Sequence, residues 1–324
     1  MKSFIDYKNN TLDTGHPLMS LIIVNWNGKE LLERCLNSIL KNTVYPNYEI
    51  IVVDNGSTDG STEIIEKKFP EVKLIKLEEN VGFSKGNNIG IENANGEYLV
   101  LLNNDTEIIT PNWLNIAVKI FKKNETAGVI GCKLFYPDGK IQQPSGGEIN
   151  FLNPGVTRHI RVGKNPDREE YHIEKEADYV IGAAMFVKGE LIKKIGNFDE
   201  IFSPAYYEEI DFCFRARKAG YRVIYTPDIE IIHYVHQTTK KLWRYNYMNY
   251  IVTRNELLFL LLNMPLKYFP IRIFYNIPLA IKAILKGRVY YFKAIFWNIK
   301  NLNIIIRKRI ERNKNKKNLE VYYR

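Results

Sequence analysis

Leu101-Leu102-Asn103-Asn104-Asp105 closes an apolar run that begins at Tyr98, and its reading decides the fold. A strand that runs straight into two amides and a carboxylate delivers them to the C-terminal edge of a sheet, where ligands of open α/β sheets gather. A carboxylate there can hold a divalent cation against a diphosphate. The competing reading is a plain turn, because Asn and Asp both cap local backbone groups.

The segments upstream weigh toward the first reading. Ser20 to Val24, Tyr48 to Val53, Lys73 to Leu77 and Tyr98 to Leu102 read as strands. Glu30 to Leu40, Ser61 to Phe69 and Lys85 to Ala94 read as the helices between them. Strands alternating with helices at this spacing predict an α/β fold, a mixed, mostly parallel sheet flanked by helices on both faces. Three loops then follow strands and precede helices: Asn25 to Gly28, Asp54 to Ser61, and Asn80 to Asn88. Parallel strands bring all three to one crevice with Asn103 to Asp105.

Each loop offers chemistry beside a blander alternative. Asp54 can accept hydrogen bonds from a ribose or a pyrimidine N–H, or it can satisfy the turn it opens. Asp59 reads as a turn or cap residue. Gly82 and Gly86 let backbone approach a ligand, and Asn87 and Asn88 can bond a base or phosphate, although a generic helix entry looks similar. No Gly-x-Gly-x-x-Gly follows the first strand and no Gly-x-x-x-x-Gly-Lys-Ser/Thr occurs, which argues against a dinucleotide oxidoreductase and a P-loop enzyme.

Composition bounds the rest. A chain of 324 residues and 37.9 kDa with 45% hydrophobic content can bury a full core. Cys35, Cys132 and Cys213 stand singly, so they read as free thiols in or near the core. The first seventeen residues lack the apolar core of a secretion signal, which predicts a cytoplasmic protein. The formal charge of +10 is uneven: Met264 to Arg324 holds 15 Lys/Arg against Glu311 and Glu320, leaving residues 1–263 at −3.

Glu208-Glu209-Ile210-Asp211 suits a displacement that needs a base, since a carboxylate within reach can take a hydroxyl proton and crowding of acids raises one pKa toward neutrality. The alternative is a helix N-terminus enriched in acids, with Asp211 to Ala219 as the helix. Both readings are compatible.

The order of these pieces resembles the family 2 glycosyltransferases of the GT-A (Rossmann-like) fold, and within them the rhamnosyltransferase-like bacterial branch. The matching stretches are Ser20 to Gly28, Val53 to Ser61, Asn80 to Gly90, Leu101 to Thr106, Gly182 to Met185 and Tyr207 to Arg215, spanning roughly residues 18 to 240. The resemblance implies transfer of a sugar, with inversion, from a nucleotide-diphosphate donor such as dTDP-rhamnose or a UDP-hexose. It places Asp54 at the nucleoside and Asp105 at a Mg²⁺ or Mn²⁺ ion. The family's metal motif usually reads Asp-x-Asp, whereas Asn103 stands first here; an Asn carbonyl can still coordinate a hard cation. The family's Glu-Asp pair reads Glu208-Glu209 here, making Glu209 the expected base, Asp211 its alternative and Glu208 a positioning residue.

The candidate nucleotide-sugar set is therefore Asn25, Asn27, Asp54, Asn55, Gly82, Lys85, Asn87, Asn88 and Asn104, and the candidate metal set is Asp105, Asn103 and His233. His233 and His236 follow a strand, and either can be a ligand, a phosphate contact or a structural residue. Lys240, Lys241 and Arg254 can meet the diphosphate or a charged acceptor lipid, or remain solvated. Gln142 to Ala177, rich in Pro, Gly and charge, with Arg158, Arg161 and Lys164, would flank the acceptor and close over bound donor.

Beyond Arg254 the chain changes character. Leu257 to Leu262 is too short to span a bilayer, and from Tyr268 to Ile306 apolar and aromatic residues alternate with Lys282, Lys286, Lys293, Lys300 and Arg307. The last four, seven apart, fall near one face of a helix. A basic face opposed by Ile, Phe, Trp and Tyr suits a helix lying in a membrane interface, with Arg307-Lys308-Arg309 adding attraction to anionic lipid. Packing on the catalytic domain or a homo-oligomer contact is the alternative. No nucleic-acid-binding module accompanies the charge.

The sequence thus predicts a GT-A domain over residues 1–255 and a C-terminal helical basic extension over 256–324. Its partners would be a nucleotide-sugar donor, a glycan or polyprenyl-linked glycan acceptor and the inner face of the cell membrane, where it would act peripherally in cell-surface polysaccharide synthesis. A sugar-nucleotide pyrophosphorylase would need a Gly-rich, Arg-containing loop in place of Asn25 to Gly28. A noncatalytic nucleotide or glycan binder would need neither Glu209 nor a metal.

Overall fold

A computed structural model describes residues 15–143, 146–153, 156–159, 169–235 and 245–314. Four strands build one half of the sheet: β1 (Met19–Asn25), β2 (Tyr48–Asp54), β3 (Lys73–Lys76) and β4 (Tyr98–Asn103). All pair in parallel in the order β3-β2-β1-β4. The helices α1 (Lys29–Asn42), α2 (Ser61–Lys68) and α3 (Phe83–Glu92) make the crossovers. Alternate residues of each strand enter different cores: Leu21, Ile23, Val100 and Leu102 join one apolar cluster, and Ile22, Leu99 and Leu101 the other.

The second half adds β5 (Thr106–Ile108), α4 (Trp113–Lys123) and β6 (Ala127–Phe135). Then come four short strands, β7 (Ile141–Gln143), β8 (Gly147–Ile149), β9 (Thr157–His159) and β10 (Lys175–Glu176), with β8 and β9 forming a separate two-stranded sheet. This is the stretch expected to flank the acceptor; Arg158 is exposed on β9, and Arg161 and Lys164 lie outside the described residues. β11 (Ala184–Lys188) runs antiparallel between β4 and β6. It is followed by α5 (Gly189–Ile195), α6 (Glu208–Lys218) and β12 (Arg222–His233), which pairs with β6 and β5. The result is a mixed, mostly parallel sheet of GT-A type.

Among the described residues, four further helices follow: α7 (Tyr245–Asn263), α8 (Phe269–Leu285), α9 (Val289–Lys300) and α10 (Leu302–Lys314). Two expectations for the tail change here. Lys286, Lys293, Lys300 and Arg307 do not share one continuous helix face, because the chain turns at Gly287 (φ 58°) and again at Asn301. The boundary drawn at residue 255 falls inside α7, whose Leu258, Phe259, Leu260 and Leu262 pack in the same core as β4 and α6.

Candidate functional site

The parallel register sets the first part of the site. Asn25 pairs with Asp54, and Val24 with Asn103, so the ends of β1, β2 and β4 stand level. Asn25 Nδ2 donates to Asp54 Oδ1 at 3.1 Å and Asn104 Nδ2 donates to Asn25 Oδ1 at 2.7 Å. Asp54 Oδ2 accepts the Ser57 amide at 2.9 Å, and the Ser57 hydroxyl accepts the Asn27 amide at 2.9 Å. Asn27, held at φ 48°, accepts the Thr58 amide at 2.8 Å. Gly28 is required beside this mesh, since a Cβ there would meet Asn104 Nδ2 at 2.2 Å. A chain of buried amides and a carboxylate, each satisfied by the next, fixes the edge rigidly.

Asn55 ties the third loop to the second by bonding the Asn80 side chain, the Gly82 carbonyl and the Val81 amide. Gly82 takes φ 87° and sits so close to Ser203 that a Cβ would come within 2.6 Å of its hydroxyl. Lys85 is exposed at the start of α3.

At the end of β4 lies the metal candidate. β5 pairs Thr106 with His233 of β12, which brings His233 Nε2 to 3.2 Å from Asp105 Oδ1. Both residues are buried, and Asp105 Oδ1 has no hydrogen-bond partner. An unsatisfied carboxylate oxygen beside an imidazole nitrogen is a donor set that fits a divalent cation. Asn103, half-buried, ends the same strand. Among the described residues no three His, Cys, Asp or Glu side chains converge, so substrate oxygens or water would complete such an ion.

The carboxylate corner is built differently. The chain from Phe202 to Tyr207 ends with Tyr206 and Tyr207 both at positive φ (74° and 77°), a costly conformation for aromatic residues. Residues from α7 hold it. Asn255 Nδ2 donates to the carbonyls of Phe202, Ala205 and Tyr206 at 2.7, 3.0 and 2.7 Å, and Arg254 donates to those of Phe202 and Ser203 while stacking on Trp297. α6 then starts at Glu208, three residues before the expected start. A Cβ on Gly182 would stand 3.4 Å from the Glu209 side chain, and the neighbouring Ala183 accepts the Asn103 amide at 2.9 Å. Phe83 of the third loop is on the same side of Gly182.

The three acids of this corner have separate environments. Burial pushes the Glu209 carboxyl up to about 7, against backbone N–H groups at the helix start that lower it. Glu208, buried with Oε2 unpartnered, is raised well above the carboxylate range by burial and then by the Glu209 charge. For Asp211, burial is outweighed by Arg312 and Arg215, which hold its carboxyl at about 2. Its oxygens accept from Arg215, Asn263 and Arg312.

Several expected contacts are therefore internal. Asp211, the alternative base, is fully buried in ion pairs two residues from Glu209, hence on another side of the helix. Asn88 spends its amide on the Phe198 backbone and Glu200 and so fastens α3, while Asn87 donates to the Phe83 carbonyl within the same helix. Arg254 is a buried brace. Lys308 and Arg312 pair with Asp199, and Arg309 bonds the Leu261 and Met264 carbonyls, so these tail cations face the protein and not lipid. His236, Lys240 and Lys241 lie outside the described residues. Ser57 and Asn80 lie inside the motif loops but were given no role of their own, and Asn255 carried no motif signal.

Residues 20–196 match the family model described as Glycosyl transferase family 2. The chain is 28% identical over 235 residues to the O-antigen biosynthesis protein RfbC of Myxococcus xanthus, covering 71% of this chain and 18% of that one. It is 24% identical over 241 residues to the N-acetylglucosaminyl-diphospho-decaprenol L-rhamnosyltransferase of Mycobacterium tuberculosis, covering 68% and 78%. The chain spans 25% and 18% of the length of two curated relatives it matches. A mannosyltransferase from Pyrobaculum calidifontis, solved with GDP-Man and Mn²⁺, shares the fold at a TM-score of 0.54 and 17% identity, over 94% of this chain and 89% of that one.

Proposed function

The chain belongs to glycosyl transferase family 2, and on that premise we propose that it moves a sugar, with inversion, from a nucleoside-diphosphate donor to a hydroxyl of a lipid-borne glycan during cell-surface polysaccharide synthesis. The observation that carries the reading is Glu209, a partly exposed carboxyl at about 7 beside Gly182, at the sheet edge where Asp54, Asn104 and Asp105 stand.

In this mechanism Glu209 takes the acceptor proton as the acceptor oxygen attacks the anomeric carbon. The bond from that carbon to the diphosphate breaks, and the nucleoside diphosphate leaves with the electron pair. The mesh built on Asp54 and Asn25 shapes the edge that receives the nucleoside. Glu208, whose carboxyl burial pushes up, stands beside Glu209 as its positioning neighbour. Asp105 and His233, with Asn103 beside them, would hold Mg²⁺ or Mn²⁺, which neutralises the departing diphosphate when bound. The name of the rhamnosyltransferase relative supports rhamnose as the sugar, and dTDP-rhamnose is the donor this reading puts first, with UDP-hexoses next.

The same reading holds the protein at the cytoplasmic face of the membrane. Its support is α8, where Ile273, Phe274, Ile284 and Leu285 are 62–81% exposed. Glu209→Gln should retain donor affinity and lose transfer by about 10²–10⁴-fold. Product analysis by mass spectrometry over a panel of nucleotide sugars tests this; full transfer by Glu209→Gln rejects the assignment.

A further inference from the structure

The helices α7, α8 and α9 enclose a cavity of about 430 Å³ walled by hydrocarbon, including Leu257, Leu261, Phe269, Ile277 and Ile299. One cation interrupts that wall. Arg272 is 4% exposed; its terminal nitrogens donate to the Asn153 carbonyl and to Glu256 Oε1 (3.3 Å), and its buried Nε has no hydrogen-bond partner. Arg272 lines the groove, so this donor stands within the residue where an incoming acceptor would meet the wall.

We propose that the groove seats the isoprenoid chain of the acceptor's lipid carrier and that Arg272 meets its phosphate. The inference rests on the lipid-borne acceptor put forward above and assigns it a site. Three observations select this occupant. The 20-residue stretch 266–285 is long and apolar enough to cross a membrane, yet only 11% of it is buried within the protein, so its apolar surface belongs with hydrocarbon. The exposed Lys267, Lys282, Lys286, Lys293 and Lys300 lie on the helices and turns around it and complement an anionic head group. A second copy of the chain would bring the same five exposed lysines against their own kind, which opposes self-association through this face.

The groove also lies within reach of the chemistry. Leu257 and Leu261 follow Asn255 on α7 within two turns, about 9 Å of helix. Asn298, on the groove wall, donates to the Arg254 carbonyl at 3.1 Å, and Arg254 and Asn255 hold the loop that leads to Glu209. A chain bound here would carry its glycan toward the base.

The test uses the full chain with farnesyl diphosphate as the probe. Wild type should bind it saturably, one per chain and tighter than farnesol. Ala280→Trp, which fills the groove, should weaken binding at least tenfold while nucleotide affinity and anionic-vesicle binding stay unchanged, which shows the variant to be folded. No saturable binding, or equal affinity in Ala280→Trp, overturns the proposal. A dimer that Ala280→Trp dissociates would make a second copy the occupant and overturn it too. Farnesyl diphosphate held in the groove without transfer to any lipid-borne glycan would defeat the acceptor reading alone. Transfer that Ala280→Trp leaves intact would defeat only the groove.

Discussion

At the donor edge each side chain rides on the end of its own parallel strand, and Asn25, Asp54 and Asn104 are fixed by neighbours in one register. At the carboxylate corner Glu209 follows a loop whose carbonyls are held by Arg254 and Asn255, about 50 residues later in the chain. Both end at the same sheet edge. The first is made by sheet geometry; the second is made by a tail that clamps it from outside. Damage to the tail should therefore reach the chemistry, while loss of the internal amide of Asn88 in α3 should not.

The largest effect should come from Arg312. Arg312→Ala leaves Asp199 and Asp211 short of a partner in a buried network and should cost about 3–5 kcal/mol of stability by denaturant unfolding. The sign with pH follows from Asp211. Its pairing stabilises the fold above the ordinary carboxylate pKa and is lost as pH falls toward about 2, so in Arg312→Ala acid unfolding should begin at higher pH. Unchanged stability would mean that the tail is only docked.

A smaller loss is expected at Asn255. Asn255→Ala removes the donor to three carbonyls behind Glu209, and a penalty of about 1–3 kcal/mol expressed in the transition state lowers kcat by roughly ten- to a hundredfold. Donor affinity by titration should hold within about twofold. Asn255→Asp, which cannot donate, should fare no better. Equal losses in kcat and donor affinity would erase the distinction between the two regions.

The pH profile sharpens the same contrast by a smaller factor. Because the deprotonated carboxylate is the active form, kcat/KM should rise with pH and reach half its plateau near pH 7, where Glu209 is held by burial. A half-point in the ordinary carboxylate range would remove Glu209 from the role. Least of all should change at Asn88: Asn88→Ala should lower the melting temperature yet leave nucleotide affinity unaltered, since its amide is committed to Phe198 and Glu200.

The sequence was legible where function and local structure coincide. Apolar runs ending in Asn25, Asp54 and Asn103 to Asp105 marked both the strands and the edge they reach, and their spacing implied the parallel order. The three thiols are buried and free, as their isolation implied. Partners distant in sequence were not legible. Nothing in Glu209 announces Asn255, and nothing in Asp211 announces Arg312, because long-range hydrogen bonds leave no period or spacing. Asn88 misled for the opposite reason: an amide in a glycine-rich loop has the same letters whether it faces a ligand or the backbone of residue 198.

The helix that straddles residue 255 has a practical consequence for preparing the enzyme. Trimming the greasy C-terminus at Met264 to ease purification would preserve every loop at the sheet edge and still delete the guanidinium at position 312 and the indole at 297 that flank α6 and Arg254. A soluble fragment made that way should bind nucleotide and turn over poorly. Detergent or a surface-recoded α8 is the route that keeps the machine whole.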